Sequence, residues 1–117
     1  MAISKAEFLS RKPKISVFTD KDGTQVNVRS LNEFTKAKYQ LQFIGADGEQ
    51  NIENMESAVR SLIQLSVVDD NGNLMFSENE KDQIGELDSS FTEQLFQFIR
   101  KANDFDLKDG VKDARKN

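Results

Sequence analysis

The side chains that come nearest to forming a chemical site are Asp69, Asp70, Asn71 and Gly72, with Glu78 six residues beyond the glycine. Oxygen ligands at alternate positions around a glycine are how a calcium loop is built. With Gly72 at the sixth position, Asp69 falls at the third, Asn71 at the fifth and Glu78 at the twelfth. Val67 then holds the first ligand position, and an aliphatic side chain cannot coordinate a hard cation. The segment therefore reads as a polar turn. Asp20-Lys21-Asp22-Gly23 fails the same test, because Phe18 would stand first and the flanks read as strands.

Other chemistry is scarcer still. The chain has no Cys and no His, so it offers no thiol nucleophile, no disulfide, no zinc site of the usual kind and no imidazole base. Its six glycines are dispersed, with no Gly-x-Gly and no Gly-Lys-Ser/Thr to cradle a phosphate. Glu78, Glu80, Asp82 and Glu86 crowd a short polar helix, where they read as solvated charges rather than a poised acid–base pair. No catalytic residue, metal site or cofactor is expected, and the protein reads as a non-enzyme.

Charge and hydropathy narrow the partners. Net charge is −4, but residues 47–93 carry two basic and twelve acidic side chains. An acidic middle argues against nucleic acid, whose binding depends on neutralising phosphates. No apolar run approaches the roughly 18 residues of a membrane span, and Met1 to Lys14 lacks the apolar stretch of a secretory signal. A soluble cytosolic protein without nucleic-acid or membrane contacts is expected.

The elements that must carry any site can be placed from caps and periodicity. At 117 residues and 37% hydrophobic, the chain has the size of one domain with a modest core. Ser-x-x-Glu, a helix-opening box in which serine and glutamate satisfy free amides, occurs at Ser4/Glu7, Ser30/Glu33, Ser77/Glu80 and Ser90/Glu93. Two β-rich runs, 14–19 and 24–29, flank an Asp-Gly turn and predict a hairpin with Ile15, Val17, Val26 and Val28 inward. A helix over 30–44 has Leu31, Phe34, Ala37, Leu41 and Ile44 on one face, with Tyr39 and Phe43 roughly opposite. A second runs over 50–67 with a stripe of Ile52, Met55, Val59, Leu62, Ile63 and Ser66, and a short one over 77–84 follows. The last carries Phe91, Leu95, Phe98, Ile99 and Ala102 on its buried face. The fold class is α+β: a mainly helical single domain over 1–106 with an N-terminal β-hairpin and a C-terminal helical part. From Asp104 on, alternating charge predicts a mostly mobile segment, with 107–117 as a charged tail.

The chain holds nine Phe, one Tyr and no Trp, and not all of these aromatics fit the stripes. Tyr39, Phe43 and Phe96 fall outside them and Phe105 lies in the charged end, so these four are the candidate partner-binding residues. The alternative is that a small domain buries them between layers. On the partner-binding reading, Phe43→Asp or Phe96→Asp leaves the monomer folded and weakens partner binding or self-association.

The order of features resembles that of tailed-phage tail assembly chaperones. The resemblance rests on Val67-Val68-Asp69-Asp70-Asn71-Gly72-Asn73-Leu74-Met75-Phe76, on Ser77-Glu78-Asn79-Glu80, on Ile84-Gly85-Glu86-Leu87, and on Phe91, Leu95-Phe96, Ile99 and Ala102-Asn103. In the first half it rests on a short helix, a hairpin ending in Val28-Arg29-Ser30-Leu31, and a helix. It implies a protein of phages and prophages that binds the tape measure protein, keeps it soluble in the host cytoplasm, self-associates, and is absent from the mature virion. It also implies that a longer, frameshifted form could recruit tail tube protein. The alternatives are a structural tail or head-joining component and a small bacterial protein-interaction module.

Overall fold

A computed structural model describes residues 2–43 and 55–105. The first helix, α1 (Lys5–Leu9), is opened by Ser4, whose hydroxyl accepts the Glu7 N–H at 3.1 Å. The hairpin follows as expected in position but not in facing. Strands β1 (Ile15–Thr19) and β2 (Gln25–Arg29) pair antiparallel, with Ser16 opposite Val28 and Phe18 opposite Val26. Gly23 donates its N–H to the Asp20 carbonyl at 2.9 Å and has φ +90°, a region that costs glycine little. Asp20 N–H then donates to the Thr24 carbonyl at 2.8 Å, closing a loop one residue longer than a two-residue Asp-Gly turn. One residue of slip sends a strand's side chains to the opposite face. Ile15 and Val17 therefore point outward, 55% and 49% exposed, and Phe18 takes the inner place beside Val28.

Two helices start where the caps compete best. Helix α2 (Glu33–Phe43) is capped by Asn32, which accepts the Thr35 N–H at 2.9 Å. Ser30 instead accepts the Lys14 N–H at 3.0 Å and ties the open end of the hairpin. Helix α5 (Ser89–Ala102) is capped by Asp88, which accepts the Phe91 N–H at 3.1 Å, in place of Ser90. Asn and Asp equal serine as caps, so the nearer geometry decides. The Ser77 box forms: Ser77 N–H donates to the Glu80 carboxylate at 2.8 Å, opening a 3-10 turn (Glu78–Glu80) that continues into α4 (Lys81–Ile84).

Helix α3 (Met55–Ser66) runs without a loop into β3 (Val67–Val68), which completes a three-stranded sheet of order β1-β2-β3 by placing Val67 opposite Val28. The predicted helix reached Val67 and no strand was expected, since two valines become a strand only through a partner far away in sequence. In the turn that follows, Asp69 accepts the N–H groups of Asn71 and Asn73 at 2.8 and 3.0 Å, and Gly72 has φ +84°. The carboxylate with calcium-like spacing is thus engaged in closing its own turn. Among the described residues no cluster of acidic side chains could hold a metal, and no helix is long and apolar enough to cross a membrane.

The fold is α+β, with α5 packed on the inner face of the sheet, α3 against α5, and α2 and α4 against α3, while α1 buries no residue. Phe18 meets the rings of Phe91 and Phe98 of α5 edge-on, at centroid distances of 6.2 and 5.4 Å. Leu62 and Ile63 of α3, Ile84 of α4, and Leu95 and Ile99 of α5 are fully buried beside them. Phe91 and Phe98 are half-buried, and Ala102 is exposed rather than inward.

The end of α5 corrects a further expectation. Phe105 N–H donates to the Arg100 carbonyl at 2.9 Å and Asp104 N–H to the Lys101 carbonyl at 3.2 Å, with Asp104 at φ +59°. This is a Schellman closure with aspartate in the place usually held by glycine. It turns the chain back so that Asn103 and Phe105 are buried. The segment expected to loosen from Asp104 is therefore built in as far as Phe105, while the tail expected over 107–117 lies outside the described residues.

Candidate functional site

Helix α2 is apolar on two sides, and its packing is the reverse of the expected one. Tyr39 and Phe43 are buried, 7% and 4% exposed, whereas Phe34 and Leu41 stand out at 88% and 61%. Ala37 is exposed with them, and Ile44, the last member of that stripe, lies outside the described residues. The inward choice follows from what each side can meet. The rings of Tyr39 and Phe43 lie 4.7 Å apart, and Phe105 packs 5.4 Å from Tyr39. The Tyr39 hydroxyl donates to the Ala58 carbonyl of α3 at 2.9 Å. The Tyr39 and Phe43 rings find one another and Phe105 to pack on, and the phenol finds the partner it needs once desolvated.

The aromatic cluster is fastened from α5. Lys36 of α2 donates to the Asn103 carbonyl at 2.7 Å, and its ammonium lies 5.2 Å from the Phe105 ring centroid. Asn103 Oδ1 accepts the Leu31 N–H, and Asn103 Nδ2 donates to the Ile99 carbonyl at 2.9 Å. Three elements therefore converge on one buried asparagine.

Burial pushes the Tyr39 phenol up to about 12, against the opposing pull of the Arg100 charge. A tyrosine in the unfolded chain ionises near pH 10, so the folded state holds this proton more tightly. The linked stability is whole below about pH 10 and is lost as the pH climbs from there through about 12. Tyr39→Phe loses the bond to Ala58, so at pH 8 it melts below the wild type, by about 1 kcal/mol of stability. At pH 11 the gap narrows or reverses, because only the wild type carries the alkaline penalty. Melts at the two pH values read this directly, and a constant gap would mean that the phenol titrates as in water.

Between α2 and α3 lies a groove of about 360 Å³. Tyr39, Phe43, Ser61 and Gln64 are its buried lining, and Phe34, Lys38, Gln42 and Glu78 stand exposed around it. The Ser61 hydroxyl is buried without a hydrogen-bond partner among the described residues, whereas Gln64 Nε2 donates to the Phe76 carbonyl at 3.0 Å.

Of the four aromatics singled out from sequence, Tyr39, Phe43 and Phe105 are in the core, which corrects their placement outside it. Tyr39 and Phe43 nevertheless line the groove, with Phe105 packed on Tyr39. Phe96 is set apart on α5, half-buried, with the Arg100 guanidinium 5.7 Å from its ring centroid. Phe34 and Leu41 were assigned to the core by spacing and are the exposed members. The one local signal that could place them is the aromatic pair four residues apart, Tyr39 and Phe43, on the other side of the same helix. The surface mixes the aromatic rings of Phe34, Tyr39 and Phe43 with polar side chains, is partly concave and bordered by charge, an arrangement suited to holding another polypeptide.

No protein-family model and no curated protein matches the chain. Among solved structures, it is similar to the tail assembly chaperone of bacteriophage HK97, with 14% sequence identity and a TM-score of 0.59, over 83% of this chain and 95% of that one. What the chain shares with the HK97 tail assembly chaperone is its fold.

Proposed function

We propose that this protein is a phage or prophage tail assembly chaperone that binds the tape measure protein and keeps it soluble while a long tail is assembled. The likeness of fold to the HK97 tail assembly chaperone, over 83% of this chain and 95% of that one, carries the reading. The surface of α2 supports it physically. A tape measure protein is a long helical chain with apolar stripes that aggregates when uncovered. An amphipathic helix of such a client lays its apolar side along Phe34 and Leu41 and into the groove lined by Tyr39 and Phe43. The protein acts by binding alone, in several copies per client, in the host cytoplasm, and is absent from the finished tail. A longer frameshifted form would extend the same domain toward the tail tube protein.

Co-expression with the long open reading frame expected just downstream tests this. The client product is expected to be soluble with the wild-type chain and to precipitate with Phe34→Asp/Leu41→Asp, while that variant keeps its circular dichroism spectrum and melting temperature. A client equally soluble with and without this protein overturns the chaperone reading.

A further inference from the structure

The free edge of the sheet is complementary to itself. Strand β2 is paired on both sides, whereas the outer edge of β1 has no strand against it among the described residues. Toward β2, Lys14 O accepts the Ser30 N–H at 2.9 Å and Asp20 N–H donates to Thr24 O at 2.8 Å. Antiparallel pairs alternate, so the backbone groups of Ser16 and Phe18 also face β2 and those of Ile15, Val17 and Thr19 point outward. Lys14 through Val17 and Thr19 are exposed, and no proline interrupts the strand. Natural sheets ordinarily guard such an edge.

Charge is arranged antisymmetrically about Val17. Lys14 and Lys12 precede it by three and five residues, and Asp20 and Asp22 follow it by three and five. Two β1 strands laid antiparallel about a two-fold axis at Val17 place Lys14 opposite Asp20 at both ends at once, while Lys12 and Asp22 lie beyond the strand, Asp22 within the turn, where it accepts the Thr24 N–H at 3.1 Å. Lys21 falls opposite Pro13, beyond the strand. The same register pairs Val17 with Val17 and Ile15 with Thr19, the residues whose N–H and C=O groups point outward, so each free backbone group on the edge finds a partner. Sliding by two residues keeps backbone pairing but sets Lys14 opposite Phe18, or Asp20 opposite Ser16, leaving only Lys12 or Asp22, from beyond the strand, to face the remaining charge.

We propose that two copies of this chain associate edge to edge through β1, joining their three-stranded sheets into one continuous antiparallel sheet. Val17, left exposed by the hairpin loop, meets its symmetry copy at the axis, and Ile15, exposed with it, meets Thr19 of the other copy. One five-residue strand pair is small beside the roughly 1,200–2,000 Å² of a stable complex, so the dimer is reversible and depends on concentration. The inference rests on the edge and its charges, and stands or falls separately from the identity of the client.

Sedimentation equilibrium of the full chain, from micromolar to millimolar, tests it. The wild type shows a monomer–dimer equilibrium. Lys14→Asp or Asp20→Lys alone weakens dimerisation by about tenfold, because each reverses an ion pair twice across the axis. The double variant recovers to within about threefold of wild type, since the swapped charges again face each other. Val17→Pro removes an outward N–H, leaves every hairpin hydrogen bond in place and abolishes the dimer; circular dichroism checks that each variant is folded. A chain monomeric at every concentration overturns the proposal. So does a dimer indifferent to these changes, which would place the interface elsewhere, or a double variant no better than either single one.

Discussion

Phe43→Asp is expected to leave no cooperatively folded domain at 25 °C, whereas Phe34→Asp on the same helix melts with the wild type. The Phe43 ring is buried against Tyr39, and truncating a buried Phe to Ala costs about 3–5 kcal/mol. Aspartate adds the cost of a carboxylate in an apolar cluster, where it must either desolvate or take up a proton. Together these approach the whole stability of an ordinary domain, about 5–15 kcal/mol. Phe34 lies almost wholly in water, and an exposed substitution of this kind shifts stability by about 0.5 kcal/mol or less. Urea titrations followed by circular dichroism separate the two. This reverses the result expected from helical spacing alone, in which Phe43→Asp stays folded. A Phe43→Asp variant with a wild-type midpoint would mean that α2 packs by its other side.

The second large effect belongs to Asn103. Replacing it with Ala removes the acceptor for the Leu31 N–H and the donor to the Ile99 carbonyl, at a position that is buried. A buried donor left without a partner costs about 1–3 kcal/mol, and the second bond about 1 more. For a domain of this size the melting temperature falls by about 10 °C or more. If Asn103→Ala melts within about 2 °C of wild type, the asparagine does not hold α5 to the start of α2.

Much of the fold could be read locally. The Ser4 and Ser77 caps, the position of the hairpin, and the stripes through Leu62 and Ile63 and through Leu95 and Ile99 all follow from residues within a turn or two of one another. The larger differences depend on distant partners, and the smaller ones on a cap or a loop residue close by. Which side of α2 turns inward is settled by the Ala58 carbonyl and the Phe105 ring, neither of which is a neighbour in sequence. The facing of β1 is settled by a single residue of loop length around Gly23, and β3 exists only because β2 is there to receive it. The candidate surface inherits the error in α2. Tyr39 and Phe43, picked out because they lay off the core stripe, form the floor of a groove, and the stripe itself, Phe34 and Leu41, is the exposed part.

The bond between Asn103 and Leu31 spans 72 residues, and that reach sets when the domain can close during synthesis. Until Asn103 and Phe105 have been made, the aromatic side of α2 has nothing to pack against from α5, and α3 must wait for Leu95 and Ile99. Contacts so distant in sequence slow folding and prolong the exposure of apolar surface on the growing chain. A ribosome that stops short of Asn103 thus releases a polypeptide with every described helix encoded but without the bond that ties α5 to the start of α2, one that opens more often to the cell's proteolytic machinery.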